Sequence, residues 1–408
     1  MEYDVIIVGA GPAGSTAARS CAEKGLKALL IEKDRLPRYK PCGGFLSPRV
    51  LKELNFDIGE VIESTVLEAK FTFRLKDPFS IVSPDPIGYL VMRDSFDHLL
   101  CRKAQERGAD LYEGRRVVTV RQDAEGVDVS IAGGESIRCR YLIGADGARG
   151  VVALLLNGGM TRKMGVALEA EGRLPTGIRK EWSSVHLDCG VIPNGYGWIF
   201  PKGNFVSFGI AAILPSKGTK LRSRLERFIA GLDYIRGVGM EKVYFYPLPT
   251  FSGDDLLLSK GRVLLVGDAA NLIDPLTGEG IYYAIKSGQV AAEAIVKTIK
   301  EDRKRITGYR ETLKCTLLAD LAAALRLSKA IYGFPRLAYT VFKSNKSLGL
   351  FYLRILAGNA RYGTFSRRMV DEIRRHLRRK VTPMMEVSMT FERRTTTSRT
   401  SMPVMRTP

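Results

Sequence analysis

Residues 3–14 read YDVIIVGAGPAG, and this stretch decides the fold of the chain. Tyr3–Val8 is a largely apolar, β-branched run, which is typical of a strand buried on both faces of a parallel sheet. A helix can begin at Pro12, because proline has no amide hydrogen to leave unsatisfied there, and can end at Gly25. Residues 27–31 form a second strand. The order strand, glycine turn, helix, strand predicts an α/β domain built on a parallel sheet.

The spacing of the glycines predicts that a dinucleotide lies across this turn. Gly9 permits the tight bend, Gly11 lets a pyrophosphate approach the backbone, and Gly14 lets helix and strand pack closely. The helix that begins at Pro12 and Ala13 directs its partial positive charge towards the phosphates. These five residues are the first candidate cofactor contacts.

Acidic residues follow three of the predicted strands. Glu32, about twenty residues beyond the glycines, is placed to accept hydrogen bonds from the adenosine ribose hydroxyls. Residues 141–149 (YLIGADGAR) and 262–270 (RVLLVGDAA) place Asp146 and Asp268 after apolar strands. Open α/β sheets bind ligands at this carboxyl edge. An ordinary turn would also use Asp-Gly, but the combination with the glycine motif favours a ligand site.

Residues 274–281, DPLTGEGI, introduce a later helix and predict that the cofactor is a flavin. Gly278 and Gly280 let the helix start lie against a flat ring, and the helix dipole would stabilise negative charge on the reduced ring. Pro275 and Ile281 flank these glycines and are further candidate contacts. A Rossmann domain that binds only a nicotinamide would not require the chain to return to the cofactor here, so we expect FAD.

A glycine-rich loop and a helix start supply the other candidates. The loop is RYKPCGGF, residues 38–45, and its paired Gly43 and Gly44 indicate that something passes close to the backbone. Cys42 is either a small buried thiol or a group beside the cofactor. Arg93, at a strand-to-helix junction, either contacts the phosphates or the ring, or is a surface cation.

The sequence changes character over residues 160–250, where short strands and turn residues predict an antiparallel sheet. Tyr196, Trp198 and Phe200 stand at alternate positions, so in a strand they share one face. Such an aromatic wall suits a long apolar ligand, although ordinary sheet core is equally compatible. With Pro201, these residues are the candidate substrate contacts.

The predicted architecture is α/β, with an FAD-binding Rossmann-like domain interleaved with an antiparallel-sheet substrate domain, plus C-terminal helices. The boundaries are 1–65, 93–160 and 255–300 for the discontinuous FAD-binding domain, 66–92 and 161–254 for the substrate domain, 301–364 for the helical region, and 365–408 for a basic, partly disordered tail.

The formal charge of +20 is concentrated at the C-terminal end, where residues 301–408 hold 23 Lys or Arg against 8 Asp or Glu. No nucleic-acid motif accompanies this charge, so an anionic membrane surface fits better than nucleic acid. Helices over residues 316–362 either lie along a bilayer or cap the substrate domain. No charge-free run reaches the roughly 18 residues needed to cross a bilayer, so we expect contact from one side.

The six cysteines show no C-x-x-C pair and no metal-ligand spacing, and the chain starts directly on a strand. We therefore expect no metal, a reducing cytoplasmic compartment and peripheral membrane association.

Together these motifs resemble flavoproteins of the p-hydroxybenzoate hydroxylase type, in which the glycine, Asp-Gly and Gly-Asp motifs all touch one FAD. Residues 40–44 (KPCGG) and 196–201 (YGWIFP) are also similar to the geranylgeranyl reductase family. Its members reduce isoprenoid double bonds in archaeal lipids, quinones or the chlorophyll side chain. The family's second motif usually ends in G-x-G, and Gly209-Ile210-Ala211 departs from it at the last position.

The resemblance implies a role for each motif. The ADP half of FAD would be held by Gly9, Gly11, Gly14 and Glu32, and the ribityl and ring by Asp268, Gly278 and Gly280. Cys42 would lie beside the flavin, and Tyr196, Trp198 and Phe200 would line a prenyl tunnel. The implied reaction is hydride transfer from reduced flavin N5 to an alkene of a prenyl lipid, with a proton from Cys42 or an ordered water.

Two other functions are compatible with the same motifs. One is a flavin monooxygenase or halogenase, although the W-x-W-x-I-P stretch typical of such halogenases is absent from the sequence. The other is an electron-carrying or lipid-binding flavoprotein. For the reductase, the external electron donor would be reduced ferredoxin, a deazaflavin or NAD(P)H.

Overall fold

The structure is a computed structural model that describes residues 2–156, 164–174, 184–214, 220–235, 238–239, 242–253, 255–303 and 305–375. Its strands, in chain order, are β1 (Tyr3–Val8), β2 (Ala28–Ile31), β3 (Phe45–Leu46), β4 (Ile62–Val66), β5 (Glu68–Phe73), β6 (Lys76–Val82), β7 (Gly88–Val91), β8 (Asp110–Tyr112), β9 (Val117–Gln122), β10 (Val127–Ile131), β11 (Ser136–Gly144), β12 (Gly165–Arg173), β13 (Ser184–Cys189), β14 (Gly195–Lys202), β15 (Phe205–Ala212), β16 (Lys242–Leu248), β17 (Ser259–Lys260) and β18 (Val263–Leu265).

Helices alternate with these strands and then form the C-terminal part of the described chain. They are α1 (Pro12–Glu23), α2 (Pro48–Glu53), α3 (Arg93–Gln105), α4 (Val151–Leu156), α5 (Leu221–Ala230), α6 (Ile281–Lys300), α7 (Tyr309–Leu313), α8 (Ala319–Gly333), α9 (Pro335–Ser344), α10 (Lys346–Leu356) and α11 (residues 362–375). A π-helical turn, Lys314–Leu318, joins α7 to α8.

The first sheet carries the motifs that open the sequence. Its parallel strands run in the order β18, β11, β1, β2, β8, with β17 antiparallel at one edge and the hairpin of β9 and β10 paired with the start of β11. Val8, at the end of β1, pairs with Ile31 on one side and Gly144 on the other, and Gly144 pairs with Leu265. The strands that precede Glu32, Asp146 and Asp268 therefore end at one edge, as the sequence predicts.

The second sheet has the order β16, β12, β15, β14, β13, β5, β6 and is antiparallel except where β13 pairs with β5. A third, small sheet has the order β3, β7, β4. Residues 66–92 thus contribute β5 and β6 to the second sheet and β7 to the third. The parallel sheet, the largely antiparallel sheet and the C-terminal helices confirm the predicted α/β class.

Helices α8–α11 pack around a core of their own, which includes Leu327, Val341, Ile355 and Tyr362. Residues 365–375, at the start of the predicted tail, belong to α11. Two side chains one helical turn apart, Phe365 and Met369, are each only 2% exposed. The rest of that tail, 376–408, lies outside the described residues. Across the described ranges, every helix is too short or too polar to cross a bilayer.

Candidate active site

A cavity of about 640 Å³ is lined by residues of the two large sheets and of the C-terminal helices. It joins the start of α1 to the aromatic face of β14. The predicted site residues that line it are Gly11, Pro12, Ala13, Cys42, Gly43, Gly44, Arg93, Tyr196, Trp198, Phe200, Asp268, Gly278, Gly280 and Ile281. The other predicted site residues, which stand behind its wall, are Gly9, Gly14, Glu32, Asp146, Pro201 and Pro275.

The glycine turn is shaped by two close backbone contacts. Gly9 has φ +101°, and a Cβ there would lie 2.5 Å from the carbonyl oxygen of Ala145. A Cβ on Gly14 would lie 1.8 Å from the carbonyl oxygen of Gly9, so both positions require glycine. A Cβ on Gly11 would meet only the end of the Arg38 side chain, at 3.8 Å, and no side chain caps the first turn of α1. The free amides of this turn fit a pyrophosphate group.

Glu32 is tied to the same turn. One carboxylate oxygen accepts the amide hydrogen of Ala10 at 2.7 Å, and the other accepts that of Asp34 at 3.2 Å. Arg38 lies 3.6 Å from the carboxylate. The carboxylate therefore holds the turn in shape; its predicted contact with a ribose stays a prediction. Asp146 similarly accepts the amide hydrogen of Val152 in α4 at 2.9 Å.

A buried ionic network behind the Cys42 loop escaped the sequence analysis. Asp97 accepts hydrogen bonds from Arg38 at 3.0 Å and from Arg93 at 2.8 Å, and its side chain is fully buried. Burial alone would lower the pKa of Arg93, but the charge of Asp97 and a contact with the Cys42 thiol raise it overall. Arg93 is therefore a permanent cation next to this thiol rather than a surface residue. Its spacing of four residues from Asp97 was a usable signal.

The start of α6 forms another wall of the cavity. A Cβ on Gly280 would lie 3.4 Å from a carboxylate oxygen of Asp268, so the two predicted contacts are neighbours. Gly278 has φ +74°, which favours glycine. Buried Glu279, between them, forms an ion pair with Arg49, and this pair anchors the turn. Pro275 is buried within the same turn.

Three aromatic side chains of β14 share the cavity face of the strand. The ring centroids of Tyr196 and Trp198 lie 6.4 Å apart, as do those of Trp198 and Phe200. Pro201 points to the opposite face because successive strand residues alternate. A Cβ on Gly43 would lie 2.9 Å from the Phe200 ring, so the absence of a side chain lets the Cys42 loop rest on the aromatic face.

The same face of the sheet carries a buried polar group that the sequence analysis missed. Lys202, two residues beyond Phe200, is fully buried and donates hydrogen bonds to the carbonyl oxygen of Cys42 at 3.2 Å and to Glu171 at 3.0 Å. Glu169, also on β12, is 2% exposed and lines the cavity. The alternation of residues along each strand could have put these side chains on one face, but not next to the Cys42 loop.

Farther from this loop the cavity wall is apolar. Phe71 stacks on Phe79 at 5.1 Å and meets Phe342 of α9 edge-on at 5.5 Å. Ile81 and Tyr339 continue this wall. The cavity therefore has a polar end beside the Cys42 loop and a dry aromatic end against the C-terminal helices.

Comparison with known proteins gives concordant matches. Residues 2–172 match the FAD binding domain family FAD_binding_3. The geranylgeranyl diphosphate reductase of Rhodobacter capsulatus is 34% identical over 320 residues, which cover 74% of this chain and 77% of that protein. The digeranylgeranylglycerophospholipid reductase 1 of Methanopyrus kandleri is 32% identical over 370 residues, which cover 81% of this chain and 93% of that protein.

A solved structure is similar in fold as well as in sequence. It is the geranylgeranyl bacteriochlorophyll reductase-like protein from Thermoplasma acidophilum, with a TM-score of 0.71 and 26% identity. The match covers 81% of this chain and 87% of that one.

Proposed function

The chain belongs to the geranylgeranyl reductase family of FAD-dependent oxidoreductases, and we propose that it saturates the isoprenoid double bonds of a prenyl lipid. The observation that carries the proposal is the shape and polarity of its cavity. One continuous space of about 640 Å³ joins a glycine-lined cofactor region to an apolar, aromatic compartment that suits a branched hydrocarbon chain.

The cofactor would be held by elements that leave room for it. We assign the pyrophosphate to the uncapped start of α1, at Gly11 and Ala13, and the ribityl chain and ring to Asp268, Gly278 and Gly280. All five residues line the cavity, and the glycines among them carry no side chain that would fill it, which supports this assignment. When bound and reduced, FAD supplies a hydride.

The remaining work belongs to side chains of this protein. An isolated alkene is a poor hydride acceptor, so the site must exclude water, hold the bond in place and supply a proton. The wall of Tyr196, Trp198 and Phe200 would exclude water and orient the chain. Cys42 would position the alkene or deliver the proton, and its contact with Arg93 supports a defined thiol position.

Two partners complete the proposal. Electrons would come from reduced ferredoxin, a deazaflavin or NAD(P)H, since a buried flavin needs an external donor. A prenyl lipid would enter from a membrane, and the basic C-terminal region supports peripheral association with an anionic bilayer.

The test is anaerobic turnover. The enzyme is mixed with a geranylgeranyl lipid and an excess of dithionite, which reduces the flavin again after each turnover, without oxygen, and the products are analysed by mass spectrometry. We expect products heavier by two hydrogens for each bond reduced, over many turnovers. Product formed only with oxygen would favour the monooxygenase or halogenase instead, and binding without turnover would favour a lipid-binding flavoprotein.

The role of Cys42 is tested separately. The variants are Cys42→Ser and Cys42→Ala. If both retain FAD and full turnover, the thiol has no part in the mechanism, and the reductase activity itself is unaffected by this result.

A further inference from the structure

Glu169 lines the polar end of the cavity, and Lys202 and Glu171 lie next to it on the same face of the sheet. Lys202 lies 3.0 Å from Glu171 and donates to the backbone of Cys42, and Glu169 stands two residues from Glu171 on the same face of β12. If both carboxyls were ionised, Lys202 would balance only one of the two negative charges, and the almost completely buried Glu169 would carry the other, which is costly in a protein interior. One of the two must therefore carry a proton.

The groups around the cluster decide which carboxyl that is. Arg93 also faces Glu169, but its charge is engaged by Asp97. Tyr39 faces both carboxyls from the loop between β2 and β3, and its ring packs at a tilt against that of Tyr244 in β16, with the centroids 4.6 Å apart. Neither tyrosine supplies positive charge. Glu171 has the direct ion pair and is partly exposed, whereas Glu169 is 2% exposed, so the proton resides on Glu169.

A hydrogen-bonded chain links Glu169 to the aromatic wall of the cavity. The Ser207 hydroxyl donates to Glu169 at 2.8 Å and accepts from the indole nitrogen of Trp198 at 3.2 Å. Glu169, Gly209 and Trp198 form one row across β12, β15 and β14. A Cβ on Gly209 would lie 2.5 Å from the Trp198 ring, so the glycine lets the indole lie flat towards Glu169.

We propose that Glu169 is the acid that donates the proton for alkene saturation, with Ser207 and Trp198 positioning it. This inference rests on the proposed reductase function. As the cofactor's hydride forms a C–H bond at one alkene carbon, the O–H bond of Glu169 breaks and its proton forms a C–H bond at the other. The resulting carboxylate is stabilised by Lys202 and is protonated again from solvent before the next turnover.

The ionisation behaviour of Glu169 supports this assignment. Burial raises the pKa of Glu169 to about 7, against the lowering effects of Lys202 and the Ser207 hydrogen bond. The pKa of Glu169 thus lies near neutral pH, where the group exchanges readily between its protonated and ionised forms, as an efficient general acid must.

The first experiment measures where the proton is, without turnover. Infrared difference spectra of the FAD-loaded full chain between pH 6 and pH 8 report protonated carboxyls through their carbonyl stretch. We expect a carboxylic acid band at pH 6 that disappears by pH 8 and is absent in Glu169→Gln. In the matched Glu171→Gln variant the band should persist with its midpoint at lower pH, because the Glu171 charge raises the pKa of Glu169. A difference spectrum unchanged by Glu169→Gln would overturn the proposal.

The second experiment measures proton donation. Reduced enzyme is mixed anaerobically with a geranylgeranyl lipid, and a single turnover is followed by flavin absorbance across pH. In the wild-type protein the rate should fall above about pH 7. In Glu169→Gln the rate should drop on the order of 100-fold, and the alkaline decline should vanish. A merely structural role would leave the position of that decline unchanged.

These results separate the two hypotheses. Wild-type enzyme that never reduces a prenyl lipid refutes the proposed function, whatever the infrared spectra show. Wild-type enzyme that does reduce it, with Glu169→Gln equally fast and equally pH-dependent, refutes the role of Glu169 alone and leaves the proton to Cys42 or water.

Discussion

Replacing Glu169 with Gln should change how the stability of the folded chain depends on pH. The pKa of Glu169 rises from 4.5 to about 7 on burial, so the folded state binds more protons than the unfolded state between these values. The stabilising effect of the raised pKa is fully present below pH 4.5 and is lost as the pH rises through 7. At 1.36 kcal/mol per pKa unit, the loss is about 3 kcal/mol.

A second buried group works in the opposite direction. His186, on β13, is 5% exposed and shares a hydrogen bond with Thr72 at 2.7 Å. Burial lowers the pKa of His186 from 6.5 to about 4, so here the unfolded state binds more protons. Its contribution to stability therefore increases by about 3 kcal/mol as the pH rises from 4 to 6.5. In the wild-type protein the two contributions largely cancel across this range.

The assay is urea unfolding at half-unit intervals from pH 4.5 to pH 8, with wild type, Glu169→Gln and Glu171→Gln compared at each pH. The free energy of unfolding of wild type minus that of Glu169→Gln should fall by about 3 kcal/mol between pH 4.5 and pH 7.5. The free energy of unfolding of Glu171→Gln minus that of Glu169→Gln should also fall over this pH range, because Glu171→Gln retains Glu169. If the difference between wild type and Glu169→Gln is independent of pH, Glu169 is ionised throughout and the burial argument fails.

Two further predictions concern packing and the C-terminal end. A Cβ on Gly288 of α6 would lie 2.5 Å from a carbonyl oxygen of α1, so Gly288→Ala should cost about 1–3 kcal/mol in urea unfolding and weaken FAD retention on dialysis. The matched control is Gly333→Ala in α8, where no atom lies within 4 Å of the new Cβ. Its free energy of unfolding should be unchanged or higher by up to about 1 kcal/mol. Equal losses of stability in the two variants would refute the packing argument. Deleting residues 376–408 should weaken salt-sensitive binding to anionic vesicles, each nearby Lys or Arg having contributed on the order of 1 kcal/mol. Deleting residues 365–408 should in addition lower the Tm, because the buried side chains of Phe365 and Met369 in α11 are lost. Unchanged vesicle binding in both deletion variants would rule out the membrane role of the tail.

The cofactor end of the fold could be predicted because its signals are local. The turn from β1 into α1 is encoded by adjacent residues, and the helix does begin at Pro12 as the missing amide hydrogen suggests. The Gly-Asp motif after β18 follows the same logic, since parallel strands must end at one edge. Strand alternation also predicts that Pro201 lies on the opposite face from Trp198 and Phe200, and its contact with the substrate stays a prediction.

The polar end of the cavity could not be predicted, because its contacts depend on strand order and register. Glu169 and Lys202 are 33 residues apart and on strands separated by β15, so their proximity follows only from the pairing of β12, β15 and β14. Arg38 and Asp97 are 59 residues apart and meet where a loop crosses α3. No local pattern determines either contact.

The position of Lys202 explains why an acid of useful strength can exist in this cavity. A carboxyl buried among the aromatic residues alone would bind its proton too tightly to release it, since nothing there stabilises the anion. A carboxyl in direct contact with a lysine has a stabilised anion and therefore less tendency to retain a proton. Glu169 lies between these extremes: it is close enough to Lys202 for its anion to be tolerated, and buried enough for its pKa to rise to about 7. The polar end of the sheet face therefore suits proton release, and the apolar end suits a hydrocarbon chain, with Trp198 in contact with both.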